Sequence, residues 1–192
     1  MEKEQRSVSL QVEIRSEEES PKKITGYAVK WNERSSPIFG MFEEQFQRGA
    51  FSEAIQDSDI IAAWNHNFSE ILGRTPTTLT LQEDEIGLRY EIIPPSWADK
   101  YIETIQRGDV KGSSFTFIPE VEEWDESGKM ALRTIKKAKL YEVSPVIFPA
   151  YPTSEAGVRS AEAIYNNYVA SKKEENPDYS YEEKLLELQE KV

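Results

Sequence analysis

Gly112-Ser113-Ser114-Phe115-Thr116-Phe117 is the stretch whose reading decides the fold. In an extended strand, successive side chains point to opposite faces. Phe115 and Phe117 then share one face with Ser113, while Ser114 and Thr116 share the other. If the phenylalanines face a core, Ser114 faces away from it into a groove. The same period of two runs through much of the chain. Val8, Leu10, Val12 and Ile14 alternate with Ser7, Ser9, Gln11 and Glu13, which predicts one half-buried strand. A charged turn at residues 17–23 with Pro21 leads to a returning strand at 24–31, so the two form a hairpin. Leu79 and Leu81, then Leu88, Tyr90 and Ile92, flank Asp84-Glu85-Ile86-Gly87 and predict a second hairpin. Asp125-Glu126-Ser127-Gly128-Lys129 turns the chain into a further strand, and residues 140–148 form the last one.

Helices are few. A short one is expected at residues 49–55, with Phe51 and Ile55 on one face. A second is capped by Ser96, carries Trp97, Tyr101, Ile102 and Ile105 on one face, and ends at Gly108. The expected class is mainly β with surrounding helices (α+β), as a closed or partly closed β-barrel. After about Ser160 the character changes. Ala161, Ile164, Tyr165, Tyr168 and Val169 mark a helix stripe. Residues 172–178 read as a polar linker with Pro177. Ser180 and Glu183 form a capping box before a short helix with Tyr181, Leu185, Leu188 and Val192 on one face. The expected organisation is a domain at 1–160 and a helical tail at 161–192, with its linker at 172–179.

Composition excludes several classes. Lys and Arg number 23 against 35 Asp and Glu, a net charge of −12. Nucleic-acid binding needs basic surface to neutralise phosphates, and an anionic membrane surface needs the same. Neither partner is expected. There is no cysteine, so disulfides and thiolate chemistry are excluded. With one histidine, a zinc site would need carboxylates for nearly every other ligand, so no metal and no cofactor are expected. No apolar stretch approaches the ~20 residues that span a bilayer. The first residues are charged and carry no apolar h-region, so no signal peptide is expected.

The single histidine, His66, ends the apolar run Ile60-Ile61-Ala62-Ala63-Trp64-Asn65-His66-Asn67. Glu142 lies in Leu140-Tyr141-Glu142-Val143-Ser144-Pro145-Val146, on the strand face opposite Tyr141 and Val143. Serine is a poor nucleophile until a base takes its proton, and a carboxylate on the far ring nitrogen holds that base. His66, Ser114 and Glu142 supply all three. Spacing alone also fits blander roles: a histidine in a polar turn, a serine in a pleat, and Glu142 paired with Lys139 or solvated. No G-x-S-x-G elbow is present, which speaks against a doubly wound hydrolase.

Taken in order, these segments resemble the prohead maturation serine proteases of tailed bacteriophages, which are related in fold to the herpesvirus assembly protease. The matching pieces are Gly26-Tyr27-Ala28, Glu44-Gln45-Phe46-Gln47-Arg48-Gly49-Ala50-Phe51, Trp64-Asn65-His66-Asn67, Leu72-Gly73-Arg74-Thr75, Glu85-Ile86-Gly87-Leu88, Gly112-Ser113-Ser114-Phe115-Thr116-Phe117, Glu142-Val143-Ser144-Pro145-Val146 and Pro149-Ala150-Tyr151-Pro152. They span about residues 24 to 158.

The resemblance implies a barrel of the herpesvirus-protease type and a serine endopeptidase. It implies His66 as base and Ser114, immediately before Phe115, as nucleophile, with Ser113 a decoy. Glu142 is the choice for the third member, since the related viral enzymes use a second histidine there and this chain has none. Thr116 stands where the family often has glycine, which bears on substrate fit. The resemblance further implies cleavage of capsid or scaffold segments, and of the chain itself at the 172–178 linker. The setting would be the assembling prohead in the host cytoplasm, with a homodimer as one expected state. The competing reading is a catalytically inactive assembly scaffold protein on the same fold.

Overall fold

The computed structural model describes residues 3–16, 21–57, 59–149 and 155–175. The strands are β1 (Glu4–Val8), β2 (Glu13–Arg15), β3 (Lys23–Lys30), β4 (Phe42–Phe46), β5 (Ile61–Trp64), β6 (Asn67–Arg74), β7 (Leu79–Glu83), β8 (Gly87–Ile92), β9 (Gly112–Asp125) and β10 (Ala131–Val146). The helices are α1 (Ala54–Asp57), α2 (Asp99–Gln106) and α3 (Glu155–Glu175), with a 3₁₀ turn at Ser96–Ala98. One sheet runs β1-β9-β10-β5-β6, with β4 also on β10; the other runs β2-β3-β8-β7. The chain is mainly β with a few helices. Among the described residues the pairing gives two open sheets, and no sheet closes on itself into a barrel.

The predicted first strand divides in two. At Ser9 the chain turns sharply, with the Leu10 N–H donating to the Val8 carbonyl at 2.9 Å. β1 pairs with β9, whereas β2 pairs with β3 through Ile14↔Ile24, one half of the expected hairpin. Alternation is kept on both sides of the break, because period two reports which face is buried and not which partner strand lies alongside. The β7–β8 hairpin forms as expected, in the register Leu81↔Tyr90. The two strands expected after Asp125 are one continuous strand, β10. Gly73 and Arg74 end β6. Ser96 does not cap α2. It opens the 3₁₀ turn behind Pro95, without a side-chain capping bond. Tyr101, Ile102 and Ile105 are buried as predicted, but Trp97 stays largely exposed. Among the described residues no helix is long and apolar enough to cross a membrane.

Two compact units emerge. The first comprises Met1–Glu33, Phe46–Val121 and Ile135–Tyr151. Its core carries an aromatic cluster in which Phe46 packs on Phe51, Phe115 and Phe117 at ring separations of 5.7, 5.3 and 5.1 Å. Phe115 and Phe117 are fully buried, so the alternation of β9 reads as the sequence implied.

The second unit comprises Arg34–Gln45, Glu122–Thr134 and Pro152–Val192. Here the expected stripe on α3 buries Ala161, Tyr165, Tyr168 and Val169, with Ile164 partly buried, in a cluster with Phe42 and Trp124. Trp124 stacks on Tyr168 at 4.2 Å. Arg133 is buried and pairs with Glu44 at 2.9 Å and with Glu122. α3 continues to Glu175, so residues 172–175 of the expected linker are helical. The expected final helix at 181–192 lies outside the described residues.

Tyr90 ties the second sheet to β9. Its hydroxyl is 2.8 Å from Ser113 Oγ, and burial pushes the phenol up, only partly offset by that hydrogen bond. The ring fills the space beside Gly26, where an added Cβ would lie 2.4 Å from the Tyr90 hydroxyl oxygen. We predict that Gly26→Ala destabilises the protein by ~1–3 kcal/mol, as overpacking does. At this chain length that corresponds to a fall in Tm of roughly 2–4 °C per kcal/mol, read by thermal unfolding. An unchanged Tm would contradict the packing described.

Candidate active site

β5 and β6 are joined by a two-residue loop, Asn65-His66, with Trp64 and Asn67 paired across it. Both loop residues have positive φ, 50° and 61°. Two consecutive positive φ values are the mark of a type I′ turn, the loop that matches strand twist. Asn and His tolerate this region better than most side chains. The turn is anchored to β10: the Asn65 N–H donates to the Pro145 carbonyl at 3.1 Å, and the His66 N–H to Ser144 Oγ at 3.1 Å. His66 is thus in a polar turn, and the turn holds it at a defined place.

β5 runs parallel to β10, with Glu142 opposite Ile61 and Val143 opposite Ala62. This register sets the end of β5, and so His66, beside Glu142. His66 Nδ1 lies 2.9 Å from Glu142 Oε2. The carboxylate is almost wholly buried, its side chain 2% exposed, while the imidazole is 24% exposed. A buried carboxylate needs partners in place of the water it has lost. Thr116 Oγ1 donates to the same oxygen at 3.1 Å, and Ser144 Oγ lies within hydrogen-bond distance of the other. The Ser144 hydroxyl also reaches the Ala63 carbonyl, at 2.8 Å. Glu142 is paired with His66 rather than with Lys139, which pairs with Glu120.

With Glu142 as acceptor, Nδ1 carries the ring proton and Nε2 presents its lone pair. The Gln5 side-chain amide donates to that lone pair at 2.9 Å. This is the tautomer a general base requires.

Ser114 and Thr116 share a face of β9, as alternation predicted, and Ser113 points the other way onto Tyr90. Ser114 is fully buried. Its hydroxyl donates to the Arg6 carbonyl at 2.8 Å and accepts from Ser7 Oγ at 2.9 Å. It therefore bonds to β1 rather than to His66. The two groups nevertheless lie along the same strand. Gln5 touches His66 and Ser7 touches Ser114, two residues or ~7 Å of strand apart.

A groove of about 450 Å³ opens beside Glu142 and Thr116, lined also by Gln5, Ile61, Phe68 and Tyr141. Phe68 is 62% exposed there. An apolar ring at the lip of a groove suits a side chain of a bound peptide.

All three expected residues, His66, Ser114 and Glu142, lie in one neighbourhood, with His66 and Glu142 in direct contact. Three neighbours were not legible as site residues: Gln5, Ser7 and Ser144. Alternation does put Thr116 on the face of Ser114 and Ser144 on that of Glu142. That is the only signal the sequence carried for them. Thr116, which the family pattern marked as bearing on substrate fit, is a donor to Glu142.

A family model described as caudovirus prohead serine protease matches residues 10–167. That span contains His66, Ser114 and Glu142 and leaves β1 outside. No curated protein and no solved structure gives a significant match. With most of its length matched by that model, the chain belongs to the family of caudovirus prohead serine proteases.

Proposed function

We propose that the chain is a serine endopeptidase in which Ser114 is the nucleophile, His66 the general base and Glu142 the group that orients the base. The observation that carries this reading is the hydrogen bond between His66 Nδ1 and the buried Glu142 carboxylate. It fixes the ring tautomer and turns the Nε2 lone pair toward the strand that also touches Ser114.

In this mechanism Ser114 Oγ attacks a peptide carbonyl and its proton passes to His66 Nε2. The Glu142 carboxylate stabilises the imidazolium that forms. His66 then gives the proton to the leaving amine, and the ester on Ser114 is hydrolysed by a water that His66 activates in turn. Thr116 and Ser144 keep Glu142 in place through both steps, since a carboxylate free to rotate would release the ring.

The substrates on this reading are extended segments of capsid or scaffold proteins in the assembling prohead, as the family assignment suggests. Residues 1–160 act as the protease domain and 161–192 as a helical tail, with self-cutting in the polar segment at 172–178. A partly closed barrel of the herpesvirus-protease type is compatible with the first unit, whose core draws on strands of both sheets.

The test is intact mass over time, wild type beside Ser114→Ala, alone and with shell proteins. Wild type is expected to shed a fragment or cut the shell proteins. Ser114→Ala should lose at least ~10³-fold in rate, as removal of a nucleophile does. Fragments from Ser114→Ala at the wild-type rate would sink the assignment. Stable shell proteins with wild type would favour the inactive scaffold.

Ser144→Ala removes both the acceptor for the His66 N–H and a donor to Glu142. We expect kcat/KM to fall roughly 10- to 100-fold, equivalent to ~1.4–2.8 kcal/mol. The fold should remain intact by circular dichroism. No change in kcat/KM would remove Ser144 from the supporting set.

A further inference from the structure

We propose that β1, residues 4–8, is a built-in pseudosubstrate: it occupies the edge of β9 where a peptide to be cut would lie, and it must leave for the site to work. This rests on the reading of Ser114 and His66 given above.

β1 is the outermost strand of its sheet, antiparallel to β9, with Ser7 opposite Ser114 and Gln5 opposite Thr116. Without it, β9 presents an open edge of N–H and C=O groups beside Ser114. An extended peptide is held by such an edge through main-chain hydrogen bonds, with side chains giving selectivity. The edge is shaped for close approach. A Cβ on Gly112 would lie 2.1 Å from the Val8 carbonyl oxygen, so glycine leaves room there for an incoming backbone.

The contacts of β1 with the reacting groups are those of an occupant held unproductively. The Arg6 carbonyl oxygen is 2.8 Å from Ser114 Oγ, but it takes the hydroxyl proton that His66 would need to take. The Gln5 amide fills the lone pair of His66 Nε2. Nucleophile and base are each satisfied by β1 and are not bonded to one another. The strand also removes Ser114 from solvent.

The hold is of a displaceable kind. The sequence Glu4-Gln5-Arg6-Ser7-Val8 offers one aliphatic side chain, and Gln5 to Val8 are exposed or only partly buried. Few apolar contacts and accessible backbone bonds are the signature of a segment that opens locally. The family match begins at residue 10, so the occupant lies outside the matched pattern while the site lies inside it.

The experiment uses a fluorophosphonate probe, which forms an ester with an active serine and releases fluoride. Four forms are compared: the full chain, a form lacking residues 1–8, the full chain with Gln5→Ala and Ser7→Ala, and Ser114→Ala as the control. If β1 leaves the site open less than about a tenth of the time, its removal speeds labelling at least tenfold. The double variant should label several-fold faster, and it retains the whole strand should the deletion fail to fold. A synthetic peptide of residues 3–9 should slow labelling of the shortened form.

Equal labelling rates in all forms bearing Ser114 would overturn the proposal, as would a peptide without effect on a folded shortened form. A separate binding measurement is made on the shortened form carrying Ser114→Ala, with fluorescent 3–9 peptide. Binding there without Ser114-dependent labelling in any form would keep β1 as an occupant of the β9 edge and sink the nucleophile assignment. Absence of binding to that folded form would sink the occupant itself.

Discussion

The candidate site depends on one buried carboxylate. Glu142 sits inside β10 with 2% of its side chain exposed, where an ionised group without partners would be strongly unfavourable. Its oxygens are met by the His66 ring, the Thr116 hydroxyl and the Ser144 hydroxyl, each from a different stretch of chain or a different position on the strand. The constraint is mutual. The carboxylate needs these donors to remain buried, and the donors are held in register because the carboxylate is there. The positive-φ turn at Asn65-His66 fits the same account. A strained loop persists where its surroundings over-determine it, and β10 anchors this one at two points.

The sheet supplies the geometry that the carboxylate then exploits. Parallel pairing of β5 with β10 carries the Asn65-His66 loop to the level of residues 142–145. β9 also neighbours β10 and brings Thr116 onto Glu142, with Ser114 two residues along the same face. Alternation then sorts the side chains, with Phe115, Phe117 and Ser113 inward and Ser114 and Thr116 toward the site. A slip of one residue in β9 would put phenylalanine against the carboxylate and serine into the aromatic cluster. The Phe46, Phe51, Phe115 and Phe117 packing is therefore also what keeps Ser114 on its side.

β1 adds a different kind of constraint. Besides its backbone pairing with β9, the strand bonds the Ser114 hydroxyl through the Arg6 carbonyl and the His66 imidazole through the Gln5 amide.

Several features were decided locally and were legible in the sequence. The faces of β9, with Ser113 and Ser114 on opposite sides, the β7–β8 hairpin and the buried stripe of α3 all follow from periods of two or near 3.6. Those periods depend only on neighbours along the chain. Glu142 could be suspected because an acid inside an apolar strand requires a partner. What tertiary structure alone decided is the partner in each case. That β1 leaves β2 at Ser9 to join β9, that Thr116 serves Glu142, and that Gln5 and Ser7 cover His66 and Ser114 all depend on contacts between distant residues. One of them, from Ser7 to Ser114, spans 107 positions. Period and propensity describe which side of a strand faces inward. Which strand lies next to it is settled only when the whole chain has been packed, and here that choice brings His66, Glu142, Ser114 and β1 into one neighbourhood.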